Sequence, residues 1–163
     1  MVPSILRFLP MLLLWLLSAC HPGRKALNHS GCCPASSGGI TSITLVKEGC
    51  GYECAEYTIS IRYPNVAELT GKKGLPYIGR FTRILEDEEA DSLWSKVDRA
   101  DLWSMQDSYH FDAEDTQARI LTAEGTKGTK KIRFKMMMPH TLTDIEKYLD
   151  VLSQSGDWKP LQE

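Results

Sequence analysis

The 163-residue sequence has no marked excess of charge of either sign. It contains 19 Lys and Arg against 21 Asp and Glu, a formal net charge of −2. Nucleic-acid binding requires a clustered basic surface that neutralises phosphates, and nothing in the sequence indicates such a surface. We therefore expect no nucleic-acid partner.

The sequence also lacks the motifs of common catalytic and cofactor sites. It has no Gly-x-Ser-x-Gly, no His-Glu-x-x-His, no phosphate-binding glycine loop and no dinucleotide fingerprint. Only two histidines, His110 and His140, stand in the segment expected to fold. We expect no cofactor and favour a non-enzymatic function, while enzymatic activity stays open.

The apolar run near the N-terminus is too short for a transmembrane helix. Phe8–Cys20 has thirteen residues, whereas about 20 apolar residues are needed to cross a bilayer core. Arg7, the apolar run and the small residues at its end have the order of a secretion signal. The last four residues, Leu17-Ser18-Ala19-Cys20, resemble the lipobox of bacterial lipoproteins.

That resemblance implies removal of residues 1–19 as a lipoprotein signal peptide and acylation of Cys20, for example with palmitate. Two or three acyl chains anchor a protein to a bilayer almost permanently. We therefore expect a lipid-anchored protein of the bacterial cell envelope, at the outer membrane and facing the periplasm. The alternative is an ordinary secretory signal with a cysteine near its end.

The rest of the chain divides by composition. Residues 20–39 are rich in Pro, Gly and Ser, which favours a flexible tether, and residues 40–160 have the length of one domain. Alternating apolar residues predict strands, and helical spacing predicts helices beginning at Glu86 and Pro139. The strands are predicted at 40–47, 57–63, 66–70, 77–85, 116–123 and 129–136. This order indicates an α+β fold, an antiparallel sheet of about five or six strands with two helices packed on one face.

Four cysteines remain besides Cys20, an even number that is consistent with disulfides in the oxidising envelope. They are Cys32, Cys33, Cys50 and Cys54. A Cys50–Cys54 disulfide is the favoured state of the second pair. Thioredoxin-type catalysis instead requires Cys-x-x-Cys at a helix N-terminus, whereas this pair precedes a strand.

Cys32 and Cys33 lie near His21 and His29, and thiolate with imidazole is a sensible ligand set for zinc or copper. Vicinal pairing, intermolecular disulfides and pairing into the domain are the other interpretations. This gives an alternative function, a metal-binding or thiol-redox envelope protein using Cys32/Cys33 or Cys50/Cys54.

Two further segments contain candidate ligands. Residues 107–115 combine four carboxylates with His110, and a solvated loop is favoured there over a calcium site. Three consecutive methionines end the last predicted strand, and we expect Met136 and Met138 to enter the core rather than to bind copper.

The stretch from Cys50 to Tyr57, CGYECAEY, resembles a motif of an uncharacterised family of bacterial lipoproteins. Members of that family, a domain of unknown function, carry Cys-x-Gly-x-Cys-Pro-x-Tyr soon after the first strand. The cysteine spacing and Tyr57 agree, the glycine is one place early, and Ala55 replaces the proline. The resemblance implies a fold but no reaction. We therefore expect a module that binds another, unidentified envelope protein or ligand or has a structural role.

Overall fold

A computed structural model describes residues 38–50, 53–109 and 116–161. The elements in these segments are β1 Ile40–Lys47, β2 Glu56–Arg62, β3 Val66–Lys73, β4 Gly79–Ile84, α1 Asp87–Ala100, β5 Ser108–Tyr109, β6 Arg119–Gly125, β7 Gly128–Phe134, α2 His140–Gln154 and β8 Lys159–Pro160. The predicted α+β class is confirmed. No helix in the described segments combines the length and the apolar character needed to cross a membrane.

The strands form one open sheet in the order β5-β7-β6-β1-β2-β3-β4-β8. Every neighbouring pair is antiparallel except β5 and β7, which are parallel. β1 lies inside the sheet, between β6 and β2, and its alternate residues Ile43 and Leu45 are buried. Ile43 pairs with Ile61 of β2 and with Ala123 of β6, and all three are fully or almost fully buried.

The two helices bury their apolar faces in the same core as the sheet. α1 begins at the acidic run predicted from the sequence, where the Glu86 backbone N–H donates to Glu89 Oε2 at 3.0 Å. Such a contact satisfies one of the amide groups that a helix start leaves unpaired. α2 follows Pro139 as predicted, and Leu142, Ile145 and Leu149 are buried.

Two details of the predicted architecture are wrong. The sheet of the described residues has eight strands, not five or six, because β5 and β8 add a two-residue strand at each edge. The helix packing also differs, because α1 and α2 pack against each other as well as against the sheet. Their contact with the sheet is made through side chains.

The register of the sheet places a charged residue at an inward position near the end of β1 and another near the end of β4. Lys47 ends β1 opposite Tyr57 of β2 and Arg119 of β6. Arg83 lies near the end of β4 opposite Ala67, a residue that is fully buried. These two places are the candidate sites.

Candidate functional site

The cysteine loop connects β1 to β2. Cys50 and Cys54 lie at disulfide-bonding distance, with their Cα atoms 6.2 Å apart. Gln117 Nε2 donates hydrogen bonds to the carbonyl oxygens of Glu48 at 2.7 Å and Ala55 at 2.6 Å, one on each side of the loop. Gln117 therefore connects both ends of the loop to the segment that enters β6.

A cluster of charged and polar side chains, which we call the Lys47 cluster, joins this end of the sheet to α2. It consists of Lys47, Tyr57, Arg119, Glu146 and Asp150. Lys47 Nζ lies 2.9 Å from both carboxylate oxygens of Asp150 and 3.0 Å from Glu146 Oε1. Arg119 Nη1 lies 3.0 and 3.1 Å from the two carboxylate oxygens of Glu146. The Tyr57 hydroxyl donates to Asp150.

The Lys47 cluster is largely shielded from solvent. The side chains of Lys47 and Glu146 are 12% and 6% exposed. Burial, together with the hydrogen bond to the Asp150 carboxylate, raises the pKa of Tyr57 above its ordinary value. The phenol therefore stays protonated, as a hydrogen-bond donor, to a higher pH than an exposed tyrosine.

The Lys47 cluster is suited to a structural role. Its two cations balance its two carboxylates, and both carboxylates are already bound by cations. A general base must instead have an acceptor free for the substrate proton. Glu146 and Asp150 are four residues apart on α2 and therefore share one face of the helix. The cluster thus fixes α2 against β1, β2 and β6.

The second candidate site is a cleft of about 560 Å³ at the edge of the sheet. We call it the Arg83 cleft. Its lining residues come from β4, the start of α1 and the segment between α2 and β8: Thr82, Arg83, Ile84, Glu86, Glu89, Gly156, Asp157 and Lys159. The volume is within the range of about 300–1,000 Å³ that is typical of small-molecule sites.

Arg83 is unusually buried for an arginine, with its side chain 8% exposed. Nη2 donates to Glu89 Oε1 at 2.8 Å, and the guanidinium carbon lies 5.2 Å from the ring of Trp158. Nε is buried and has no hydrogen-bond partner among the described residues. Since a guanidinium carries five N–H donors, most of its hydrogen-bonding capacity is unused in these segments.

Gly156 makes room for this guanidinium. A Cβ at position 156 would lie 1.5 Å from Arg83 Nη1, and the φ angle of +91° is also one that other residues rarely adopt. The Gly156 carbonyl accepts a hydrogen bond from the Tyr77 hydroxyl at 2.7 Å. Trp158 Nε1 donates to the carbonyl oxygens of Leu152 and Ser155, both at 3.1 Å. The wall of the Arg83 cleft is therefore held by side-chain to backbone hydrogen bonds.

Arg119 of the Lys47 cluster also has a buried Nε without a partner among the described residues. The surroundings of the two arginines differ, because Arg119 Nη1 contacts both oxygens of Glu146, whereas Arg83 contacts one oxygen of Glu89. Arg83 lines the cleft and Arg119 does not. Arg83 is therefore the arginine placed to meet a ligand there.

Most of the sites predicted from the sequence lie outside the described residues. This applies to Cys20, His21, His29, Cys32 and Cys33, and to residues 110–115 of the predicted acidic loop. The described segments contain no group of three side chains placed to hold a metal ion.

The prediction for the methionines holds only in part. Met138 packs against the core, but Met136 is 46% exposed, because β7 ends at Phe134 and its alternation does not continue.

The sequence interpretation missed both candidate sites. The available signal for the Lys47 cluster was Lys47, which continues the inward series of Ile43 and Leu45 in β1, with Glu146 and Asp150 beside the apolar stripe of α2. For the Arg83 cleft, the signal was an arginine that alternates with Phe81 and Leu85 on the inward side.

The described residues thus define an α+β domain with an open, mostly antiparallel sheet and a polar cleft at its edge. A family model described as a domain of unknown function, DUF6438, matches residues 41–153, and the chain belongs to this family. No curated protein and no solved structure matches the sequence. The expected membership of an uncharacterised family is confirmed, whereas its lipoprotein character and its cysteine motif stay predictions.

Proposed function

We propose that the protein is a non-catalytic binding module of the bacterial cell envelope, anchored through an acylated Cys20, with the Arg83 cleft as its binding site. Residues 1–19 are its signal peptide and residues 20–39 its tether. The bound partner is another envelope component. The observation that carries the binding role is the buried guanidinium of Arg83, which lines a cleft and has most of its donors unused.

Binding is favoured over catalysis by the side chains at the two sites. The residues lining the Arg83 cleft include no histidine and no cysteine. The carboxylates of the Lys47 cluster are occupied by Lys47 and Arg119, and Tyr57 stays protonated. These features support a recognition site together with a structural cluster.

The anchor is tested by expressing the full precursor as wild type, Cys20→Ser and Cys32→Ser. Mass spectrometry of the mature N-terminus and membrane fractionation are the measurements. We expect acyl chains and membrane association in the wild type and in Cys32→Ser, and neither in Cys20→Ser. Acylation that persists in Cys20→Ser would contradict the proposed anchor.

The binding role is tested by cross-linking and pull-down from envelope extracts. Arg83→Lys retains the charge but loses the planar array of donors. The matched control is Arg62→Lys, because Arg62 is 61% exposed and pairs with Glu68 outside the cleft. We expect Arg83→Lys to lose an envelope partner that Arg62→Lys retains. Identical partners for both variants would exclude the cleft as the binding site.

The alternative, a metal-binding or thiol-redox protein, is tested by counting thiols in the mature protein with and without reductant. If Cys50 and Cys54 form a structural disulfide, their thiols are unreactive until reductant is added. Free thiols with a depressed pKa would favour the alternative.

A further inference from the structure

We infer that the Arg83 cleft binds a short peptide that carries both a free carboxylate and an ammonium group, with the carboxylate on Arg83. The inference rests on the proposed binding role of the cleft and names the class of its ligand. It follows from the hydrogen bonding of Arg83, the charges of the lining residues and the shape of the cleft.

The hydrogen bonding of Arg83 calls for an anionic acceptor. Its side chain is more than nine-tenths buried, makes one hydrogen bond to Glu89 and has a buried Nε with no partner in the described segments. Arginine binds carboxylates through paired, charge-assisted hydrogen bonds. Arg83 lines the cleft, and its Nη1 packs above Gly156, another lining residue.

The remaining charges of the cleft do not suit a ligand that is only anionic. Two cations, Arg83 and Lys159, line the cleft together with three carboxylates, Glu86, Glu89 and Asp157. Glu89 is already paired with Arg83, so an exclusively anionic ligand would be repelled by Glu86 and Asp157, and an exclusively cationic ligand would leave the donors of Arg83 unfilled. A ligand with one anionic and one cationic group can pair both with Arg83 and with a carboxylate of the cleft.

The shape of the cleft agrees with a peptide of a few residues. Its wall includes Ile84, which is 62% exposed and offers an apolar contact to a small side chain. Thr82 and Lys159, which pair between β4 and β8, both line the cleft. A free peptide supplies a carboxylate, an ammonium group and small apolar side chains within one short molecule.

The test uses the mature chain with Cys20→Ser, which stays soluble, and four probes. The probes are the tripeptide Lys-Ala-Ala, its C-terminal amide, its form acetylated at both amino groups, and inorganic phosphate. Binding is followed by calorimetry and by the NMR signal of Arg83 Nε–H. We expect Lys-Ala-Ala to shift that signal and to bind at least about tenfold more tightly than each of the other probes, the loss expected for one charge-assisted hydrogen bond.

Two variants connect the affinity to particular side chains. Arg83→Lys should weaken Lys-Ala-Ala at least about tenfold, whereas Arg62→Lys should not change it. Asp157 is exposed, so Asp157→Asn should leave the fold intact. It should weaken Lys-Ala-Ala but not the acetylated peptide, because only the former carries ammonium groups.

Four results would overturn the inference: no binding of Lys-Ala-Ala, or equal binding of its C-terminal amide, of the acetylated peptide or of phosphate. The pull-down with Arg83→Lys separates these failures from failure of the proposed function. A partner that depends on Arg83 while Lys-Ala-Ala does not bind means that the ligand class is wrong and the binding role correct. Partners that do not depend on Arg83 refute the binding role itself.

Discussion

Replacing Glu146 by glutamine removes the carboxylate that two cations share in the Lys47 cluster. Lys47 Nζ lies 3.0 Å from Glu146 Oε1, and Arg119 Nη1 lies 3.0 Å from the same oxygen. The amide retains the shape of the side chain but not its charge. Two cations then remain beside one carboxylate, Asp150, in a region where Lys47 is 12% and Arg119 17% exposed.

The expected cost follows from the burial of these side chains. Breaking a buried ion pair by removing one partner typically destabilises a protein by about 3–5 kcal/mol, because the other charge stays buried without compensation. For a domain of this size, that loss lowers the Tm by roughly 10–20 °C. The matched control is Glu68→Gln in the Arg62–Glu68 pair, whose side chains are 61% and 43% exposed, respectively. An exposed pair contributes about 0–1 kcal/mol.

The assay is urea unfolding followed by circular dichroism, with the free energy of unfolding taken from the linear extrapolation. Lys47→Met and the double variant Lys47→Met/Glu146→Gln complete a double-mutant cycle, in which residues in contact show coupling of about 0.5–3 kcal/mol. A loss in Glu146→Gln no larger than in Glu68→Gln, together with zero coupling to Lys47, would refute the shared ion pair.

Three further predictions concern other parts of the same fold. The pKa of Tyr57 is higher in the folded than in the unfolded state. The stability that Tyr57 contributes is therefore complete below about pH 10 and declines as the pH rises above that value. In urea titrations at alkaline pH, the Tyr57→Phe variant should not show this decline. Replacing Cys50 and Cys54 by serine should cost about 2 kcal/mol relative to the oxidised wild type, by the chain-entropy estimate for a short loop, and the reduced wild type should be as stable as the serine variant. Gly156→Ala should destabilise the fold by more than about 1–3 kcal/mol, because backbone strain at φ +91° adds to a contact of 1.5 Å with Arg83. Gly128 has a φ of +104° and open space around it, so Gly128→Ala should show the backbone strain alone.

The elements with regular alternation were predictable from the sequence alone. β1 was predicted with the bounds that the structure gives, because Ile43 and Leu45 alternate with polar or less buried neighbours. The final helix was also predictable, since its buried residues recur at helical spacing after Pro139. In both, the local pattern and the packing indicate the same structure.

The edge strands were not predictable, because a strand of two residues has no alternation to read. β5 pairs with β7 through backbone groups, as in the hydrogen bond from Lys135 N–H to Tyr109 O at 3.1 Å. β8 pairs with β4 in the same way, and Leu161 N–H donates to Arg80 O at 2.9 Å. Backbone pairing of this kind depends on where the chain returns and not on which side chains it carries.

The two candidate sites differ in how their charges are paired and in whether their arginine lines a cleft. In the Lys47 cluster, two cations meet two carboxylates, so burial of these charges is compensated within the domain. At Arg83, a buried guanidinium meets one carboxylate oxygen and borders a cleft. In the sequence, each site consists of charged residues that lie far apart along the chain. Only their three-dimensional contacts distinguish charges that stabilise the fold from a charge with capacity left to bind a ligand.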